Sequence, residues 1–139
     1  MSKPLLQREQ RDLMLITKAH ELASYTCKIC TNEKNFPKRY RWCITNKIVE
    51  SAVDIDRFLN AANAVNCEHD SDGMLYRLRL YYQKRALAET YSLIASIEVA
   101  KFTFGIPTDR LEYWSKMIYA VQNYTRAWIK SDKERFGKK

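Results

Sequence analysis

Three cations fall within four residues in Asn35-Phe36-Pro37-Lys38-Arg39-Tyr40-Arg41-Trp42. Grouped cations neutralise phosphates and give salt-sensitive, sequence-independent attraction to nucleic acid. Their position sharpens that reading. Proline is preorganised for the first helical position, where its missing N–H costs nothing. Pro37 therefore marks a helix start and puts Lys38, Arg39 and Arg41 on its first turns. The helix dipole disfavours cations there, so an anionic partner accounts for them better than local stability does. A second group, Arg77, Tyr81, Lys84 and Arg85, falls at i, i+4, i+7 and i+8. It forms a basic stripe with an aromatic inside it, and Tyr81 or Tyr40 can stack on an unpaired base. The competing reading for any single cation is a solvated helix face.

Other residue types with chemical potential lead less far. Cys27-Lys28-Ile29-Cys30 is a C-x-x-C, and with Cys43 and Cys67 it could supply a four-thiolate zinc site. No second C-x-x-C completes the spacing, and small thiols on a helix seam are ordinary core filling. His20 reads as a satisfied core or interface histidine, and His69 beside Cys67 does not make a site. Glu50, Asp54, Glu89 and Glu98 could be drawn as a carboxylate pair, but the Glu-x-x-His motif of di-iron bundles is missing. Nucleotide-binding glycine loops, H-E-x-x-H and G-x-S-x-G are absent as well. The reading is of a non-enzyme with no catalytic residues, no metal, no cofactor and no small-molecule substrate.

Composition bounds what must position these residues. A chain of 139 residues and 16.5 kDa is read as a single domain, 1–139. Only 3 Gly and 3 Pro argue against a turn-rich sandwich or barrel. The 24 Lys and Arg outnumber 16 Asp and Glu, giving a net charge of +8 and favouring an anionic partner. No apolar run is long enough to span a membrane, and the first residues hold no signal-peptide core. Four cysteines without such a signal point to a reducing, cytoplasmic setting.

The hydrophobic spacing predicts an all-α chain with helices over 7–30, 37–66, 73–104 and 108–130, and a charged, fraying tail over 131–139. The first helix carries a seam of Leu13, Ile16, His20, Ala23, Cys27 and Cys30, and the second carries Ile44, Ile48, Ile55, Phe58, Ala62 and Val65. In the third, Leu75, Leu78, Tyr82, Leu93, Ile97 and Ala100 form the apolar face, widened by Leu87, Tyr91 and Ile94. Ser71 or Asp72 can cap its start, while Gly105 and Pro107 end it sharply. The fourth carries Leu111, Trp114, Ile118, Val121 and Trp128, with Thr125 between the last two. Short connections make sequential helices antiparallel neighbours, so the architecture is an up-down-up-down antiparallel four-helix bundle.

Antiparallel packing gathers Arg8, Arg11, Arg77, Arg79, Arg126 and Lys130 at one end. Lys34, Lys38, Arg39, Arg41, Lys47, Lys101 and Arg110 gather at the other. Trp42 is read as either a core residue or an oligomer contact. The 9 tyrosines exceed what one core needs. Tyr40, Tyr76, Tyr81, Tyr113 and Tyr124 are therefore read as partly lining a subunit interface.

The aromatic-Pro-basic run Phe36-Pro37-Lys38-Arg39-Tyr40-Arg41, the helix lengths and the terminal Tyr124-Thr125-Arg126-Ala127-Trp128-Ile129-Lys130 carry a resemblance. Over about residues 10–130 the chain resembles the accessory variability determinant (Avd) proteins that accompany the reverse transcriptases of diversity-generating retroelements. Their wider relatives are the four-helix-bundle proteins encoded in intervening sequences of 23S ribosomal RNA genes. The resemblance implies a homopentameric barrel with a basic surface, whose partners are RNA or DNA and the reverse transcriptase. It implies support of mutagenic cDNA synthesis without polymerase activity. Carried over, the binding residues are Lys38, Arg39 and Arg41, then Arg77, Arg79, Lys84 and Arg85, then Arg126 and Lys130. The helix-three positions rest on placement more than on motif. The alternative is a protein–protein adaptor of the intervening-sequence type with no reverse-transcriptase partner.

Overall fold

The computed structural model describes residues 5–137. They form an all-α four-helix bundle: α1 (Leu5–Ile29), α2 (Asn46–Ala64), α3 (Met74–Phe104) and α4 (Thr108–Phe136). α1 packs on α2 and α4, α3 packs on the same two, and the backbones of the diagonal pairs stay further apart. This is the ring of antiparallel neighbours that short connections demand. No described helix is long and apolar enough to cross a membrane.

Local chemistry accounts for the boundaries. Gly105, at φ +68°, occupies the left-handed position beyond α3, and its N–H donates to the Lys101 carbonyl at 2.9 Å. The start of α3 is held by two aspartates. Asp72 Oδ1 accepts from the Met74 N–H at 3.1 Å, as the capping expectation allows, and Asp70 Oδ2 accepts from the Tyr76 N–H at 2.8 Å.

Two helices differ from expectation. The second was expected to run as one helix from Pro37, but its α-helical part begins only at Asn46. A 3-10 turn (Lys38–Tyr40) and a π turn (Arg41–Thr45) precede it, and Pro37 flanks the first turn instead of entering it. The fourth helix continues through most of the expected tail to Phe136. Lys138 and Lys139 of that tail lie outside the described residues.

The core explains the added length of α4. Its expected seam is buried throughout, from Leu111 to Trp128, and it goes on through Asp132 and Phe136. Asp132 is fully buried and meets Arg79 in a two-pronged pair: Nε to Oδ2 at 2.7 Å and Nη2 to Oδ1 at 3.0 Å. Gln83 Nε2 adds a bond to Oδ2 at 2.8 Å, and Arg79 Nη1 donates to the Val65 carbonyl at 3.2 Å. The guanidinium also lies 4.9 Å from the Trp128 ring centre and 5.9 Å from that of Phe136. One side chain thus ties the end of α2, the first half of α3 and the last turns of α4. Asp12 of α1 faces the same group. Burial raises its carboxyl above the usual range, while Arg11, at 3.0 Å, and the more distant Arg79 oppose that rise.

These polar residues correct the expected seams. In α3 the inward positions are Arg79, Gln83, Ala86 and Thr90 before Leu93, Ile97 and Ala100, while Leu75 and Leu78 are about two-fifths exposed, at 41% and 42%. In α1 the buried line is Leu15, Ala19, Leu22 and Thr26. The expected seam is rotated by one residue, about 100°. Thr26 is buried because its hydroxyl accepts from Trp114 Nε1 at 2.9 Å and donates to the Leu22 carbonyl. His20, expected in the core or an interface, is exposed and reaches across to Asp56, Nδ1 to Oδ1 at 2.7 Å.

Removing one partner of a buried charge pair leaves the other uncompensated, a loss of about 3–5 kcal/mol. Asp132→Ala is therefore expected to lower unfolding free energy by about that much in urea titration. Arg77→Ala, on the exposed face of α3, is expected to change it by less than about 0.5 kcal/mol.

Candidate nucleic-acid interface

The basic run at the α1–α2 connection is positioned by aromatic packing. Phe36 is 3% exposed and sits edge-on to Phe104 and Trp114, with ring centres 5.9 and 6.2 Å away. Tyr40 follows one turn later, 5.1 Å from Phe104. Each such contact contributes about 0.5–1.5 kcal/mol beyond simple burial. With Phe36 and Tyr40 directed inward, the intervening and following residues point out. Lys38, Arg39, Arg41, Trp42 and Cys43 are all exposed. The Tyr40 ring is committed to Phe104 and is a poor platform for a base.

Little opposes these cations locally. Between Glu33 and Lys47 the bases are Lys34, Lys38, Arg39, Arg41 and Lys47, and Glu33 is the one acid. Glu33 meets Lys38 at 3.3 Å, with both side chains more than half exposed. Such a surface pair is weak enough for a phosphate to displace. A cleft lined by Cys27, Cys30, Thr31, Glu33 and Arg41 opens beside the run, and Asn46 and Val49 form its α2 side.

The second patch lies on α3. Arg77, Tyr81, Lys84 and Arg85 are exposed and lie within about 100° of one another around the helix. The Arg85 guanidinium rests 5.0 Å from the Phe58 ring centre, which holds its stem against α2. Tyr81, 52% exposed, packs edge-on to Tyr82 at 5.6 Å. Arg126 projects from α4 and bonds the Tyr91 hydroxyl of α3, and Lys130 is exposed one turn further on.

Arg79 does not join this patch. It lies about 200° around the helix from Arg77, with its side chain 11% exposed and its fork occupied by Asp132. Its expected role as a binding residue is corrected on that ground. Arg11 is likewise 11% exposed against Asp12. The first patch sits by Phe104 at the end of α3 and the second in its first half, roughly 30–40 Å apart at 1.5 Å per residue.

Trp42 is 84% exposed, in contrast to Trp114 and Trp128 at 0% and 1%. Sequence left it between core and subunit contact, and within this chain it belongs to no core. Of the tyrosines expected at an interface, Tyr81 and Tyr113 are exposed, while Tyr40, Tyr76 and Tyr124 are half-buried.

No group of three or more His, Cys, Asp or Glu able to hold a metal occurs among the described residues. The cysteines divide by burial: Cys30 and Cys67 are buried, Cys27 and Cys43 exposed. Burial pushes the Cys30 thiol up to about 12, and it raises that of Cys67 as well. Because the thiolate is the nucleophile, iodoacetamide at mildly alkaline pH is expected to label Cys27 and Cys43 in the folded protein. All four should label after denaturation, as peptide mass spectrometry would register. Compared with known proteins, the chain matches no family model, no curated protein and no solved structure.

Proposed function

We propose that this protein is a non-catalytic, cytoplasmic nucleic-acid-binding accessory subunit of a diversity-generating reverse transcriptase, assembled as a homopentamer. The carrying observation is the outward display of Lys38, Arg39, Arg41, Arg77, Lys84, Arg85, Arg126 and Lys130 on a chain of net charge +8. Cations held in this way can be placed against phosphates without unfolding any part of the bundle. The resemblance of the Phe36–Arg41 and Tyr124–Lys130 segments to Avd proteins supplies the reverse-transcriptase partner. The homopentamer draws support from apolar surface that the single chain leaves uncovered. Val99 and Phe102 on the outer face of α3 are 53% and 87% exposed, and Tyr119 on α4 is 51% exposed. The same residues favour the second reading, a protein–protein adaptor whose basic surface meets an acidic protein.

Light-scattering mass after size exclusion separates these readings. A salt-resistant mass near five times 16.5 kDa is expected, and a monomer would favour the adaptor. For nucleic acid, the variant Arg77→Ala/Lys84→Ala/Arg85→Ala is expected to bind duplex DNA more weakly. The slope of log K against log salt should flatten by about 2–3, since each lost phosphate contact removes about 0.9. An unchanged slope would exclude the α3 patch.

A further inference from the structure

We infer that Trp42 is a stacking platform for an unpaired nucleobase, and that the Lys38–Trp42 run takes single-stranded nucleic acid in preference to duplex. This rests on the nucleic-acid reading above and names the ligand class of one of its two patches.

The argument starts from the backbone. After the 3-10 turn, Arg41–Thr45 form a π turn closed by the Asn46 N–H donating to the Arg41 carbonyl. A π turn inserts an extra residue into the helical path, costs hydrogen-bond geometry and recurs at functional sites. Its effect here is to carry an indole outward where burial would otherwise stabilise the fold. Phe36 and Tyr40 already fill the aromatic positions against Phe104, so the core does not need Trp42.

The surroundings select the ligand. Arg41 and Cys43 flank the indole, Lys38 and Arg39 precede it, and all four are exposed. An exposed indole directly preceded by Arg41, with Lys38 and Arg39 just before it, suits a base whose own phosphates lie alongside. It suits a membrane interior less well. Stacked bases of a duplex present no open face, whereas unpaired bases stack readily on aromatic side chains. The α3 patch, roughly 30–40 Å away, has cations on a regular helix and is suited to phosphates of either form.

Trp114 and Trp128 are buried, so Trp42 is the indole that a bound base can quench. The test titrates the protein with one mixed-sequence single-stranded RNA and with the same strand annealed to its complement. Binding is followed by tryptophan fluorescence and by anisotropy of a label on the RNA. Quenching by the single strand is expected. Trp42→Ala should weaken single-strand binding by about 5- to 100-fold and leave duplex binding and its salt slope unchanged. Trp42→Phe should recover part of the loss.

Equal single-strand affinity in Trp42→Ala, with a normal salt slope, would overturn the stacking role while leaving the nucleic-acid reading intact. No binding of either RNA would overturn both. A Trp42→Ala variant that binds RNA normally but loses oligomeric mass would reassign the indole to a subunit interface. A fluorescence blue shift with anionic vesicles, without quenching by RNA, would reassign it to a membrane surface.

Discussion

Phe36 is the constraint on which the basic end of the molecule depends. Its ring fills the space between Phe104 at the end of α3 and Trp114 near the start of α4. That fixes where the chain leaving α1 must cross. Once Phe36 and Tyr40 are seated, Lys38, Arg39, Arg41, Trp42 and Cys43 face solvent. Lys38 and Arg39 are exposed because the aromatics on either side of them, Phe36 and Tyr40, pack inward. A helix starting at Pro37 would have spread the same residues around a regular cylinder. The 3-10 and π turns instead concentrate Lys38, Arg39, Arg41 and Trp42 in a short irregular segment.

At the other end of the bundle the organising group is a charge. Arg79 and Asp132 satisfy each other, and Gln83 and the Val65 carbonyl complete the set. A guanidinium in a core needs its whole fork occupied, and this one also lies over two aromatic rings. The pair explains why α4 outlasts its apolar seam. It also separates two arginines that look alike in sequence: Arg77 and Arg79 differ by two positions, and half a helical turn makes one a surface cation and the other a core residue.

Much of the fold was legible because most seams are apolar and regularly spaced. The α4 seam stands where periodicity put it, Ile48, Ile55 and Ala62 of the α2 seam are buried as expected, and Gly105 and Pro107 mark the end of α3 as their backbone preferences require. What escaped was written in polar residues. Thr26 in α1, and Arg79, Gln83 and Thr90 in α3, occupy core positions that a hydrophobic count scores as surface. Each is admitted by a partner distant in sequence: Trp114, Asp132 or Gln122. Pairings of that kind leave no local periodicity. The phase of α1 was lost for the same reason, since the buried Thr26 is polar while Cys27 just after it is a small apolar thiol. At the candidate interface the cations were legible by type, but their exposure and the irregular turns were set by where Phe36 and Tyr40 found room.

The separation of Arg79 from its counter-charge has a consequence for how the chain is made. Asp132 follows Arg79 by 53 residues. At about 5–20 residues per second, synthesis delivers the carboxylate roughly 3–10 s after the guanidinium. Until then the half-built bundle can bury its aliphatic residues but must leave that end wet, because an unanswered guanidinium holds on to its water. The last turns of α4 thus supply the counter-charge without which that end of the core cannot dry.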